Sequence, residues 1–373
     1  MRITFLLPCY PVAPIGGFRA VYEYANRFVN RGHNVSVVHA RTTRHTPRVK
    51  ASSVFDRARQ AKKRIDEFLR NPSINWQPID QRVRLLFVPD DSIDHLPDAD
   101  VLLATSWQTV SCVLESPDAK GRKCYLVQHY ETWEAPKDVV DATWRAPLFK
   151  VVIAKWLLEV GNSLGCRDVT YIPYGMNHKR YKLLQPIEGR SRRVSMMFSH
   201  IPFKSSSDGV AALNIAKTIH PELTAVFFGT PQRPSALPEW IEYHQNPSQD
   251  FIVNEIYNKS SVFVCSSLSE GFFLPAAEAA CCGCAVAATD NGGTREYIED
   301  RVTGLLSAPG NPQDLAENIC LLLSDDALRV KLANACNRYV KHFSWDESAF
   351  RMERFIEDIL QRREAAEYNT QLV

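Results

Sequence analysis

Short apolar runs alternate with amphipathic segments along most of this chain, and this alternation restricts the fold more than any other feature. In the first 40 residues an apolar run at 2–7 leads through a glycine loop into a predicted helix over 18–31, and a second apolar run follows at 35–38. This is the order of a βαβ unit, in which a helix joins two parallel strands. The alternation resumes after residue 190, with predicted strands at 194–198, 224–228, 262–265 and 285–288. The sequence therefore predicts an α/β fold with two doubly wound halves.

A basic, irregular segment separates the two halves. Residues 177–193 contain six Lys or Arg residues and a proline without a clean apolar period, which makes them the best linker candidate. We place the boundary near residue 185, which gives predicted domains over 1–185 and 186–345. A chain of 373 residues is long enough for two such domains.

Composition and cysteine usage exclude several classes of protein. Apolar residues make up 45% and charged residues 23%, and no run of 18 apolar residues occurs, so a disordered or membrane-embedded chain is excluded. The net charge of +2 gives no indication of nucleic-acid binding. Ten dispersed cysteines favour a reducing compartment, and we expect a cytoplasmic protein. Cys281, Cys282 and Cys284 lack a second ligand pair and are interpreted as core residues, and Asp98 and Asp100 as part of a solvated loop, so no metal site is predicted.

Charge is unevenly distributed along the chain. Residues 41–70 hold ten Lys or Arg against three Asp or Glu, a net charge of +7, so the remainder sums to −5. Their apolar residues fall on one helical face, which predicts a basic amphipathic helix. Such a helix either presents a solvated face or contacts an anionic membrane surface or a phosphate-bearing acceptor.

The stretch 266–304 carries the clearest chemical pattern. Six of the sixteen glycines fall within residues 271–310. A predicted strand ends just before Glu270, and Pro275 and Gly283 suit the first turn and the end of a following helix. Backbone N–H groups at such a helix start bind anions, while Glu270 and Glu278 suit hydroxyl groups on either side of the anion. A nucleotide sugar has this arrangement of sugar, diphosphate and ribose.

The motifs in this stretch resemble those of glycosyltransferase family 4. The resemblance rests on Glu270 and Glu278 with seven residues between them, then Cys282-Gly283, Asn291-Gly292-Gly293-Thr294-Arg295-Glu296 and Thr303-Gly304-Leu305-Leu306. It implies a GT-B fold, with two Rossmann-like domains facing a central cleft and the last helix, 346–373, packing back on the first domain. It also implies a nucleoside-diphosphate sugar as donor, retention of anomeric configuration, and no required metal or tightly bound cofactor.

The resemblance assigns roles in the second half. Glu270 would contact the donor sugar near the reacting centre, and Glu278 would hold the ribose hydroxyls. Lys204 would neutralise the leaving diphosphate. His200 lies where the family has an arginine, although it equally suits a packing residue at a strand end. The other donor-binding candidates are Gly229 and the backbone of Gly271, Phe272, Phe273 and Leu274.

Roles also carry over to the first half. Gly17 would bring its backbone close to the diphosphate, or else form an ordinary turn after a strand. His129 follows an apolar strand and resembles the family's histidine facing the reacting sugar, with Gln128 and Glu131 as neighbouring candidates. These residues follow strand ends, where open α/β sheets bind ligands.

Together these patterns predict a retaining glycosyltransferase. It would move a sugar from a nucleoside-diphosphate sugar to a hydroxyl of a glycan or lipid-linked acceptor, in cell-surface polysaccharide or glycoconjugate synthesis. The alternatives are a sugar phosphorylase or nucleotide-sugar epimerase on the same fold, and a non-catalytic carbohydrate- or lipid-binding protein. The residues do not identify the base or the acceptor.

Overall fold

The computed structural model describes residues 1–11, 13–46 and 74–371. These residues form two compact units. The first comprises the described residues within 1–151, 161–170 and 351–371, and the second comprises residues 152–160 and 171–350. Each unit is built around its own parallel sheet.

The first sheet has seven strands within the described residues, in the order β3-β2-β1-β4-β5-β6-β7. Its strands are β1 (Arg2–Leu7), β2 (Asn34–Ala40), β3 (Arg84–Val88), β4 (Val101–Ala104), β5 (Arg122–Val127), β6 (Phe149–Val152) and β7 (Val169–Tyr171). Strand β1 pairs in parallel with β2 from Arg2↔Asn34 onward and with β4 from Ile3↔Val101 onward. The apolar runs of the inner strands β1, β2, β4, β5 and β6 are largely buried, as expected for a sheet covered on both faces, whereas those of the edge strands β3 and β7 are half-buried.

The second sheet repeats this arrangement with six strands among the described residues, in the order β10-β9-β8-β11-β12-β13. They are β8 (Arg193–Met197), β9 (Thr224–Gly229), β10 (Ile241–Gln245), β11 (Val262–Cys265), β12 (Ala285–Thr289) and β13 (Leu305–Ser307). Strand β8 lies between β9 and β11, and its pairing with each is parallel.

Both sheets reverse their strand order beside their first strand. The reversal lies between β1 and β4 in the first sheet and between β8 and β11 in the second. Loops at the carboxyl ends of such strands diverge and leave a crevice, where doubly wound sheets bind ligands. The predicted α/β class with two doubly wound sheets is confirmed. The fold therefore predicts a ligand site at the strand-order reversal of each sheet.

Among the described residues, the first six helices connect strands, whereas the last three follow β13. The helices are α1 (Gly16–Asn30), α2 (Trp107–Glu115), α3 (Lys137–Arg145), α4 (Lys155–Ser163), α5 (Ser206–Ile219), α6 (Leu274–Cys281), α7 (Pro312–Ser324), α8 (Asp326–Val340) and α9 (Trp345–Gln371). Gly32 and Gly283 follow the ends of α1 and α6 with φ of 85° and 89°, as the sequence predicts for helix-terminating glycines.

The helical segment before β11 is irregular. The sequence predicts one helix over 250–257, but the structure has an α-helical turn at Gln249–Phe251, a π-helical stretch at Ile252–Ile256 and a 3₁₀ turn at Tyr257–Lys259. Side-chain periodicity alone does not separate these three helix types, because their residues per turn differ by little over a segment this short.

The chain between the two sheets, residues 172–192, contains the predicted domain boundary at residue 185. That boundary, and the predicted packing of 346–373 on the first domain, stay predictions. Within the first unit, Glu353 of α9 accepts hydrogen bonds from Arg31 at 2.6 Å and from His33 at 2.6 Å.

Most of the basic segment 41–70 lies outside the described residues, since residues 47–73 are not described. The predicted amphipathic helix there is therefore a prediction only. Among the described residues, no helix is both long enough and apolar enough to span a bilayer.

We expect Gly175→Ala to destabilise the second unit by at least about 3 kcal/mol, because backbone atoms leave no space for a methyl group. A Cβ at Gly175 would lie 1.9 Å from the backbone nitrogen of Trp345. Chemical denaturation measures the loss. Gly16→Ala is the control, since a Cβ at Gly16 meets nothing within 4 Å, and equal stability of the two variants would contradict the prediction.

Candidate functional site

Lys204 lies in the loop that leaves β8, at the strand-order reversal of the second sheet. The loop forms a 3₁₀ turn over Pro202–Lys204 and then reverses at Ser205, whose φ is 43°. Two contacts hold it: the Ser266 hydroxyl donates to the Lys204 carbonyl at 3.3 Å, and the Leu268 N–H donates to the Phe203 carbonyl at 2.7 Å. The loops that follow β8 and β11 therefore support each other.

Glu270 lies on the second of these loops, and its backbone is fixed by the loop after β12. The Glu270 N–H donates to the Asn291 carbonyl at 2.9 Å, and Glu270 and Gly292 form an isolated parallel bridge. Gly293 packs directly on this backbone, since a Cβ there would lie 2.7 Å from the Glu270 carbonyl oxygen. A side chain at residue 293 would displace Glu270, so glycine is required for packing.

Lys204 and Glu270 form a bidentate ion pair. The Lys204 Nζ lies 2.8 Å from both Glu270 carboxylate oxygens. The side chains are 18% and 5% exposed, and the ammonium also lies 5.1 Å and 5.3 Å from the ring centroids of Phe203 and Phe273. A lysine ammonium has three hydrogens, so two bonds to Glu270 leave a third donor for another acceptor.

Helix α6 begins next to this pair. Phe273 precedes it in the left-handed conformation, with φ of 60° and ψ of 68°, and the Tyr297 hydroxyl donates to the Phe273 carbonyl at 2.8 Å. A non-glycine residue in this region costs about 1 kcal/mol or more and is often found at binding sites. The first N–H groups of α6 lack acceptors within the helix, so together with the helix dipole they favour an anion here.

The remaining predicted residues of this loop have distinct surroundings. The Phe272 ring is buried against Tyr174, Tyr297 and Phe343, so only its backbone is available to a ligand. The Gly271 carbonyl accepts a hydrogen bond from the Trp156 indole at 3.3 Å. Glu278 is in α6 and is 5% exposed.

His200 and Gly229 lie at the ends of neighbouring strands. The His200 ring is exposed and packs edge-on against Phe198, with centroids 5.3 Å apart. A Cβ at Gly229 would lie 2.4 Å from the Phe198 carbonyl oxygen, so packing against the end of β8 requires glycine here. Their predicted donor contacts stay predictions.

A second group of predicted residues lies at the strand-order reversal of the first sheet. Gly17 approaches Gln128 closely, since a Cβ at Gly17 would lie 2.8 Å from the Gln128 Oε1. The Gln128 amide donates to the Thr105 carbonyl at 3.0 Å, and the Thr105 hydroxyl donates to the Leu6 carbonyl at 2.7 Å. These bonds join the ends of β1, β4 and β5.

His129 and Glu131 continue this group beyond β5. The His129 ring packs edge-on against Trp133, with centroids 4.2 Å apart. The Glu131 carboxylate accepts a hydrogen bond from the Trp107 N–H at 2.9 Å. Burial raises the pKa of Glu131 to about 8, despite the opposing effect of the Trp107 N–H. Glu131 is therefore largely protonated at neutral pH.

The structure accounts for the cysteines and aspartates considered as metal ligands. Burial raises the pKa of Cys284 to about 12, and it raises the pKa values of Cys281 and Cys282 as well, which disfavours thiolates. Asp100 accepts two side-chain hydrogen bonds from Arg2, and Asp98 lies 3.0 Å from the Lys120 ammonium. No group of three or more potential metal ligands occurs among the residues that the structure describes.

The structure thus brings together Lys204, Glu270 and the start of α6 in the second unit, and Gly17, Gln128 and His129 in the first. Sequence reasoning missed Trp156, which contacts both Gly271 and Gly292. No motif indicates that contact, because Trp156 lies in α4, 115 residues before Gly271.

The family-model match lies within the second unit. Residues 211–343 match the family model described as "Glycosyl transferases group 1". An uncharacterized glycosyltransferase of Methanocaldococcus jannaschii is 35% identical over 107 residues, which cover 29% of this chain and 30% of that protein. A D-inositol 3-phosphate glycosyltransferase of Xylanimonas cellulosilytica is 36% identical over 109 residues, covering 29% of this chain and 26% of that protein. The similarity is to glycosyltransferases. These matches span less than a third of each relative, and membership of family 4 stays a prediction.

Solved structures match nearly the whole chain at low sequence identity. HepE from Anabaena, in complex with UDP-glucose, has a TM-score of 0.72 at 14% identity and covers 96% of this chain and 100% of its own. Sucrose-phosphate synthase from Thermosynechococcus elongatus has a TM-score of 0.71 at 16% identity, covering 97% and 100%. These likenesses confirm the predicted GT-B fold class with two Rossmann-like domains.

We expect Glu131→Gln to make the first unit less sensitive to alkaline pH. The unfolded carboxyl ionises near its ordinary pKa of 4.5, whereas the folded one holds its proton until about pH 8. Its stabilising contribution is therefore full below 4.5 and is lost as pH rises toward 8. Between about pH 5 and pH 8.5, the melting temperature of the variant should gain at least about 2 °C relative to wild type.

Thermal melts across this pH range test this expectation. Glu115→Gln, at an exposed glutamate of the same unit, is the control and should keep a constant offset from wild type. A constant offset for Glu131→Gln as well would show that Glu131 ionises normally in the folded protein.

Proposed function

We propose that this protein is a retaining glycosyltransferase that moves a sugar from a nucleoside-diphosphate sugar to a hydroxyl of a glycan or lipid-linked acceptor. The observation that carries the proposal is the Lys204–Glu270 ion pair beside the start of α6. Glu270 and α6 lie inside the region that matches group 1 glycosyl transferases. A cation, unpaired backbone N–H groups and a buried carboxylate suit a phosphate ester of a polyol.

The donor diphosphate is proposed to bind at the N-terminus of α6, with Lys204 donating its third hydrogen to a phosphate oxygen. Negative charge grows on the diphosphate as its bond to the anomeric carbon breaks, so a fixed cation stabilises the transition state more than the ground state. Because Glu270 holds the ammonium by two bonds, Lys204 needs little reorganisation when the charge develops. Glu278 and Glu270 accept hydrogen bonds from the ribose and sugar hydroxyls in this proposal.

Transfer requires the acceptor hydroxyl to lose a proton. We propose that the leaving diphosphate oxygen takes it, while the acceptor oxygen forms its bond to the anomeric carbon on the face that the diphosphate leaves. The diphosphate then leaves with the electron pair of the broken bond and with the proton of the acceptor hydroxyl, so the reaction needs no further co-reactant. Gly17 and His129 of the first unit are proposed to contact the diphosphate and the reacting sugar.

Structures with the same fold suggest which donor to test first. HepE has been solved with UDP-glucose and with UDP, and TarM from S. aureus with UDP, so UDP-sugars are the first donors to test. We propose a cytoplasmic, metal-independent enzyme of cell-surface polysaccharide or glycoconjugate synthesis. The +7 charge of residues 41–70 supports contact of that segment with an anionic membrane surface.

We expect Lys204→Gln and Glu270→Gln each to lower kcat for sugar transfer by about 10²- to 10³-fold, as found when one donor to a developing negative charge is removed. Steady-state kinetics with the best donor measure the effect. Lys259→Gln and Glu255→Gln are the matched controls, since these residues form an exposed ion pair in the same unit. Their kcat should stay within about twofold of wild type.

The double variant Lys204→Gln/Glu270→Gln separates activity from stability. Each single variant leaves one charge buried without its partner, which is destabilising, whereas the double variant removes both charges. The double variant should recover stability but not transfer. Wild-type rates in either single variant would overturn the site assignment.

A nucleotide panel should identify the base. We expect one of the uridine, thymidine and guanosine diphosphates to raise the melting temperature, because a ligand present at 100 times its Kd adds about 2.7 kcal/mol to stability. The corresponding monophosphate should stabilise less, and Lys204→Gln should reduce the difference between the two. Lack of stabilisation by all three diphosphates would contradict the proposed donor site.

A further inference from the structure

The second unit contains an open hollow of about 420 Å³ that the proposed transfer reaction does not use. It lies between the chain segment at 177–184 and the irregular helical segment at 250–254. Its lining residues are Asn177, Lys179, Arg180, Lys182, Leu184, Asp250, Val253 and Asn254. None of them is among the residues around Lys204 and Glu270.

One wall of the hollow is a turn with a fixed backbone. The Arg180 N–H donates to the carbonyl of Asn177 at 3.0 Å and to its side-chain oxygen at 3.2 Å. Tyr181 is buried, and its hydroxyl donates to the Gln249 side chain. The side chains on either side of Tyr181 therefore extend from an anchored segment.

The chain stays anchored beyond this turn. The buried Asn258 donates to the Lys182 carbonyl at 3.2 Å and accepts from the Leu184 N–H at 2.7 Å. Lys182 is thus held through its own carbonyl, with Tyr181 before it and Leu184 after it anchored as well. Ordering a ligand here would cost less backbone entropy than ordering it on a mobile loop.

The facing wall includes the π-helical stretch Ile252–Ile256, which contributes Val253 and Asn254. Single π-helical turns inside helices are rare and occur frequently at functional sites. Asn254 adds an amide that can donate hydrogen bonds to a ligand oxygen.

The charges of the lining residues favour binding of an anion. Three cations, Lys179, Arg180 and Lys182, face a single acid, Asp250, which leaves a net charge of +2. Asp250 is largely exposed and lies 3.9 Å from the Arg180 guanidinium, beyond hydrogen-bond distance, so it neutralises that cation only weakly. Arg and Lys donors grouped in this way suit the oxygens of a phosphate group.

We propose that this hollow binds a phosphate-bearing anion at a site separate from the proposed donor site. The phosphate belongs either to a free metabolite or to a lipid headgroup, since both present the same oxygens. Leu183 and Leu184 beside the cations are 44% and 49% exposed, which makes a headgroup source testable with vesicles.

Calorimetric titration with inorganic tripolyphosphate at low ionic strength tests the site. The variant Lys179→Gln/Arg180→Gln/Lys182→Gln should weaken tripolyphosphate binding by at least about tenfold relative to wild type. Lys331→Gln/Arg338→Gln/Lys341→Gln, which removes the same charge from exposed residues of α8 and its C-terminus, should bind as wild type. Lys204→Gln should also retain this binding, because Lys204 belongs to the other site.

Asp250→Asn provides a gain-of-function variant. Removal of the one acid should tighten tripolyphosphate binding by about two- to fivefold, an effect that a folding defect would not produce. Circular dichroism and thermal melts confirm that each variant is folded.

Vesicle sedimentation distinguishes the two phosphate sources. Phosphatidylglycerol-containing vesicles that bind through the three cations, and bind less with Leu184→Ser, would support a lipid headgroup. Tripolyphosphate binding that depends on the three cations, without vesicle binding, would support a free phosphate compound. The proposal is overturned if the triple variant binds both probes as wild type does, or if only Lys204→Gln abolishes tripolyphosphate binding.

Discussion

The bidentate ion pair between the Lys204 ammonium and the Glu270 carboxylate is the interaction that most restricts how the strand-end loops of the second unit can be arranged. Removing two charges from water is costly, and their attraction compensates only when geometry and hydrogen bonding are well defined. The structure meets this requirement by fixing both backbones: Ser266 and Leu268 hold the lysine loop, and Asn291 and Gly293 hold the glutamate loop. Three strand-end loops therefore share one arrangement, and a shift in any of them would misplace a buried charge.

The glycines around this pair have packing roles that are independent of any ligand. A Cβ at Gly293 would collide with the backbone of residues 270–272, and one at Gly292 would lie 3.1 Å from the Trp156 ring. Close backbone packing also accounts for Gly229. The glycines of this stretch thus mark where loops pack tightly, and the proposed anion binding depends on the start of α6 that this packing positions.

Much of the fold was predictable because strands and helices follow local periodicity. The predicted strands at 2–7 and 262–265 match the observed bounds, and the predicted glycine helix ends at 32 and 283 have positive φ. The bidentate contact between Lys204 and Glu270 was not predictable in the same way, since the residues are 66 positions apart and meet through loop geometry. The raised pKa of Glu131 likewise depends on burial, which no sequence motif encodes.

The basic residues within 177–193 show why a charge count alone does not identify an anion-binding site: the contacts of each cation must also be known. Arg190 donates to four backbone carbonyls of the second unit besides that of Pro186, while Arg192 and Arg193 pair with Glu222 and Glu242. These three cations stabilise the fold by occupying their donors within the protein. The other three line the hollow opposite a single weakly coupled acid. The six basic residues of 177–193 therefore form two groups. Arg190, Arg192 and Arg193 donate to groups within the protein, whereas Lys179, Arg180 and Lys182 remain available to bind an anion in the proposed site.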